Sequence, residues 1–107
     1  MNVKSITALI EAEAPLSLQE NYDNAGLLVG NPEMEVSAVL ITIDVTEEVL
    51  NEAIAKNCNL IVAHHPLIFG GMKTLSGQND VQRSVIKAIK HDIAIYEAHT
   101  NIDNVLH

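Results

Sequence analysis

Val36-Ser37-Ala38-Val39-Leu40-Ile41-Thr42-Ile43-Asp44 is rich in β-branched residues and almost wholly apolar, the composition of a strand buried on both faces of a parallel sheet. Thr46 follows as a natural helix N-cap, with Glu47 and Glu48 in the first turn, where the helix dipole favours negative charge. Val49, Leu50, Ala53 and Ile54 then recur at helical spacing and form one apolar stripe. Leu60-Ile61-Val62-Ala63 is a second short apolar run, and it leads straight into His64-His65-Pro66. Strand, helix of about ten residues and strand in that order predict a βαβ unit with a right-handed crossover.

The same pattern repeats downstream. Asn79 caps a helix whose apolar face is Val81, Val85, Ile86 and Ile89, and Ile93-Ala94-Ile95-Tyr96 is a third strand, running on into Glu97-Ala98-His99-Thr100-Asn101-Ile102-Asp103. His91 falls at the end of that helix, where capping is its simplest role. Upstream, Val3, Ile6, Leu9 and Ile10 have helical spacing over residues 3–13, and Pro15 stops that helix. Residues 16–32 read as a loop around a short strand, with Gly26-Leu27-Leu28-Val29-Gly30 placing it between two glycines. The fold class is α/β, a mixed or mostly parallel sheet flanked by helices. Three strands with so few helices make a thin sheet, so either the partner elements come from another chain or residues 1–107 are a piece of a longer protein, the second being the favoured reading.

Composition narrows the function classes. Six basic against fourteen acidic residues give a net charge of -8, which repels phosphate backbones and anionic membranes. Nucleic acids and membranes are therefore not expected partners, although a small anion held by a metal stays compatible with that charge. Cys58 is the single cysteine, so no internal disulfide forms, and its place between a helix end and a strand suits a small buried hydrophobe. No apolar run approaches the ~20 residues of a membrane span, and the N-terminus lacks the pattern of a signal peptide. A cytoplasmic protein is expected.

In a parallel sheet the ligand site lies beyond the carboxyl ends of the strands. Three successive strands here end in groups able to bind a metal: Asp44, then His64 and His65, then His99 and Asp103. Neighbouring side chains of a regular strand point to opposite faces, so adjacent histidines serve one site only where the strand ends, or where each binds its own ion of a close pair. Pro66 favours such an ending, because it holds His65 extended and cannot donate to the ladder. Imidazole together with a carboxylate suits Zn, Fe or Mn, and two such ions ~3.5–4 Å apart are a recurrent hydrolytic device. The plain alternative is a pair of hydrogen-bonded polar residues on the rim of the sheet. Asn24 and Gly26 lie in a turn able to approach a ligand, and Asp44 either orients a ligand or caps the helix at Thr46. Gly70-Gly71 lacks the spacing and the lysine of a phosphate loop.

Four blocks carry a family resemblance: Asp23-Asn24-Ala25-Gly26-Leu27-Leu28-Val29-Gly30, Asp44-Val45-Thr46, Ala63-His64-His65-Pro66-Leu67-Ile68-Phe69 and Ala98-His99-Thr100-Asn101-Ile102-Asp103. In order and spacing they resemble the N-terminal motifs of the NIF-three-like family, widely labelled GTP cyclohydrolase I type 2 homologues. The one departure is Tyr22, where the family usually has Trp. The resemblance implies a dinuclear divalent-metal centre with His64, His65 and Asp103 as its N-terminal ligands. It further implies a His and a bridging Glu supplied by a C-terminal segment beyond this chain, and a toroidal homohexamer with the metals facing an interior cavity. The implied activity is metal-dependent hydrolysis of a nucleotide such as GTP, with no catalytic residue named beyond the metal ligands. Two other classes stay open, a metal-binding or scaffolding protein without turnover and a regulator that binds a nucleotide without hydrolysing it.

Overall fold

The structure is a computed structural model, and it describes residues 1–13, 26–64 and 74–98. The elements in chain order are α1 (Val3–Glu13), β1 (Gly26–Val29), β2 (Val39–Thr42), α2 (Glu47–Ala55), β3 (Leu60–Ala63), α3 (Asp80–Lys90) and β4 (Ala94–Glu97). They build a mixed four-stranded sheet in the order β1-β4-β3-β2. β2, β3 and β4 are parallel, whereas β1 pairs antiparallel with β4. The α/β class expected from the sequence is therefore the class observed.

The two βαβ units step across the sheet in the same direction, so crossovers of one hand put α2 and α3 on the same face. There Leu50, Ala53, Val85 and Ala88 pack with Ile61 and Ile95 of the two inner strands. α1 covers the opposite face, where Val3 is fully buried with Leu60, Val62, Ala94 and Tyr96. Three side-chain caps start the helices. The Asn2 carboxamide oxygen accepts from the Ser5 backbone N–H, Thr46 Oγ1 from that of Val49 and Asn79 Oδ1 from that of Gln82. Each satisfies a backbone donor that the first helical turn would otherwise leave open. On the surface, Arg83 of α3 joins α2 through Glu47 at 2.5 Å and also pairs with Asp80. These hydrogen bonds raise the Arg83 pKa above its ordinary value, Glu47 being the larger cause. At such exposed positions the pairs orient the helices more than they stabilise them.

α2 and α3 end alike. Asn57 and Asp92 take left-handed backbone conformations (φ 57° and 54°), and the N–H of each donates to the carbonyl of Ile54 and Ile89 respectively. One residue further on, the Cys58 N–H reaches the Ala53 carbonyl and the Ile93 N–H the Ala88 carbonyl, both at 2.8 Å. These paired bonds are the Schellman arrangement, and they aim the chain into β3 and β4 while burying Cys58 and Ile93. A left-handed conformation burdens any residue with a Cβ, and an acidic group at a helix C-terminus also opposes the dipole. Asp92→Gly is accordingly expected to stabilise the protein by about 1 kcal/mol, measured as a rise in the denaturant midpoint at constant slope. An unchanged or lowered midpoint would contradict this account of the turn.

Two sequence expectations need correcting. The run Val36–Asp44 was expected to be a strand buried on both faces, yet only Val39–Thr42 is strand and its burial alternates between exposed and half-buried. The cause is position: β2 is the last strand of the sheet, beyond the reach of α1, so Ile41 is 79% exposed. The third parallel strand begins at Ala94 rather than Ile93, because Ile93 is used in the turn that closes α3. The other boundaries agree with the expectation. α1 ends at Glu13, α2 starts after its Thr46 cap, and His91 is the C-cap of α3. Cys58 is buried, as a small hydrophobe should be.

Candidate metal centre

Strand register decides what meets at the carboxyl edge of the sheet. Thr42, Ala63 and Glu97 form one row across β2, β3 and β4. The next row brings Ile43, His64 and Ala98 together, because the His64 N–H donates to the Thr42 carbonyl (3.1 Å) and the Ala98 N–H to the Ala63 carbonyl (2.9 Å). Three strand ends thus meet on one edge with His64 in the middle, and of the ionisable groups expected there only Asp44 and His64 fall among the described residues. β3 stops at Ala63, one residue before the histidine pair. The alternation that would drive adjacent side chains to opposite faces therefore ceases to apply at His64.

His64 is half-buried and lines a cavity of about 430 Å3 whose walls include Ile41, Ile43, Val62 and Ala98. Among the described lining residues it is the only ionisable group, set against apolar side chains. Imidazole is a side chain whose ring nitrogens can ligate a metal. The remaining predicted ligands, His65 and Asp103, lie outside the described residues, as do His99 and Asn24. Among the described residues, no group of three metal-ligating side chains is gathered. Asp44 is exposed, its backbone carbonyl accepts the Thr42 hydroxyl at 3.0 Å, and the cap of α2 is Thr46.

Sequence reasoning passed over one residue of this edge. Glu97 is fully buried at the end of β4, in the row with Ala63 and Thr42. A carboxylate is seldom fully buried unless it is paired, because desolvating its charge is costly. The signal was present in the sequence: an acid closing an apolar strand, one strand away from a histidine pair.

The family model of Duf34/NIF3 (NGG1p interacting factor 3) matches residues 1–107, the whole chain. The chain belongs to the Duf34/NIF3 family. Among Duf34/NIF3 relatives, a Clostridium acetobutylicum protein named GTP cyclohydrolase 1 type 2 homolog is 42% identical over 105 residues, covering 98% of this chain and 39% of that protein. The crystal structure of Staphylococcus aureus protein SA1388 superposes with a TM-score of 0.91 at 43% identity, covering 96% of this chain and 33% of that one. A Bacillus cereus protein related to NIF3 gives a TM-score of 0.89 at 45% identity, covering 96% of this chain and 28% of its own. The chain thus spans about two fifths or less of the Duf34/NIF3 proteins it matches. No helix among the described residues is long and apolar enough to cross a membrane.

Proposed function

We propose that the full-length Duf34/NIF3 protein containing this chain binds two divalent metal ions, Zn, Fe or Mn, and hydrolyses a nucleotide such as GTP. His64, His65 and Asp103 are the ligands this chain contributes. The observation that carries the reading is the placement of His64 at the in-register carboxyl edge of the parallel strands, beside the cavity. Covalent reach agrees with it. His65 is bonded to His64, and Asp103 is five residues past Ala98, within about 18 Å of the neighbouring strand end even for a fully extended chain. The donor set also fits, since imidazole with carboxylate is the mixture such ions accept. The cavity volume falls in the usual range of small-molecule sites.

When bound, a pair of such ions supplies a water acidified toward neutral pH and a Lewis acid for the attacked bond. The chain's own contribution is positional. β3 holds the His64 backbone to β2 through the Thr42 carbonyl, so the imidazole starts from a rigid element. Ile41, Ile43, Val62 and Ala98 keep one side of the cavity apolar, which strengthens polar contacts made inside it. The homohexamer implied by the family resemblance belongs to the same proposal, and sedimentation of the full-length protein checks it.

Incubating the full-length protein with Mn or Zn and GTP, and following formate release, tests the activity. Formate appearing in proportion to enzyme is the expected result. Stoichiometric metal without product from GTP or other nucleotides would instead identify a metal-binding or scaffolding protein. Calorimetric binding of GTP without turnover would identify a regulator.

A further inference from the structure

Half of the chain's six Lys and Arg residues stand on one face of α3. Arg83, Lys87 and Lys90 recur at i, i+4 and i+7, and His91 caps the helix just beyond them. Together with Ile86 and with Glu47 of α2 they line a hollow of about 330 Å3. Charges of one sign placed three and four residues apart repel each other along a helix, so the stripe by itself costs stability. The macrodipole offsets part of that cost for Lys87 and Lys90 in the last turn. Basic groups on any side of that turn would serve the dipole equally, so it gives no reason for them to share one hollow.

The two ends of the hollow differ. At Arg83 the charge is already met, because Nε donates to Glu47 at 2.5 Å and the guanidinium also pairs with Asp80. At the other end the Lys87 ammonium donates to Asn51 of α2 at 2.7 Å, a neutral carboxamide that orients the ammonium without cancelling its charge. Lys90 has no ion pair among the described residues. Glu47, held by Arg83, is the one acid among the described residues that line the hollow. An extended polyanion is repelled by the net charge of -8, and it would overrun the acids at the Arg83 end. A group of one or two phosphates meets only the lysine end. Phosphate also suits two ammonium groups on separate stems better than a carboxylate, since it carries up to two charges and several acceptor oxygens. We propose that this hollow binds a phosphate group through Lys87 and Lys90, either inorganic pyrophosphate or the phosphate tail of a small molecule. None of the residues lining it is a proposed metal ligand, so the inference stands whether or not the protein binds metal.

Lysine footprinting of the full-length protein tests it, with acetic anhydride at low ionic strength and mass spectrometry of each acetylated lysine. Inorganic pyrophosphate and GTP are the probes. Saturating pyrophosphate is expected to slow acetylation of Lys87 and Lys90 at least about 5-fold, by occupancy of the site. Lys4 of α1, on the opposite face of the sheet, should react at an unchanged rate. Protection by pyrophosphate alone would name the free anion as the source, and equal or stronger protection by GTP a phosphorylated small molecule; either result supports the site. Absence of protection by both, equal slowing at Lys4, or the same protection from sodium chloride at matched ionic strength would overturn it. Lys90→Gln changes an exposed position and should raise the pyrophosphate concentration that half-protects Lys87 by about 5-fold, the scale of one exposed charge pair. An unaltered half-protecting concentration in that variant would sink the idea.

Discussion

His65→Ala in the full-length protein is expected to lose most of its bound metal. Removing a partner that merely orients a ligand already weakens metal binding by about 10–100-fold, so loss of a ligand should cost at least about 100-fold. The surviving donors cannot refill the shell, because His64 is held to β2 by its own backbone bond and cannot occupy two positions. Elemental analysis after gel filtration in chelator-treated buffer measures the outcome, with His91→Ala as the comparison. His91 is an exposed C-cap of α3, so its loss should leave the metal content unchanged. Full metal in His65→Ala, or equal losses in the two variants, would remove the basis of the proposed centre.

Gly30→Ala is expected to cost far more stability than Gly77→Ala. Gly30 has φ +111°, and a Cβ there would lie 2.7 Å from Ala94 Cβ and 2.8 Å from Ala94 Cα. The obstacle is backbone and a short side chain of the inner strand β4, which itself is fully buried at Ala94. Relief requires β1 to lift away from β4. Overpacking together with the strained φ should cost about 2–4 kcal/mol, lowering the melting temperature by roughly 10 °C or more. Gly77→Ala separates the two causes. Its φ is +81°, but the nearest atoms to an added Cβ stand 3.7 and 3.8 Å away, so only conformational strain of about 1 kcal/mol applies. Equal melting temperatures for the two variants would show that the β1–β4 contact is not as tight as the geometry implies.

The carboxyl edge of the sheet, and the place of His64 on it, were legible before any coordinates. The rule that parallel strands gather ligands at their carboxyl ends pointed to Asp44, His64 and the segment after Tyr96, and the register of β2, β3 and β4 brings those ends level. The reading went astray where burial was inferred from composition. Ile41 and Ile43 look like core residues because they are β-branched and sit in an apolar run, but Ile41 lies on an edge strand and Ile43 just past its end. Glu97 shows the converse, since an acid at a strand end reads as surface and is wholly buried.

Local interactions explain why the sequence alone determined the elements themselves. Caps at Thr46 and Asn79 and the apolar spacing in α2 and α3 act within a few residues, so each can be read where it stands. Only the tertiary structure decided that β1 joins antiparallel beside β4, that α1 shields three strands and leaves β2 bare, and that Glu97 lies in the interior. Those outcomes depend on contacts between residues far apart in the chain, and no window of sequence contains both partners.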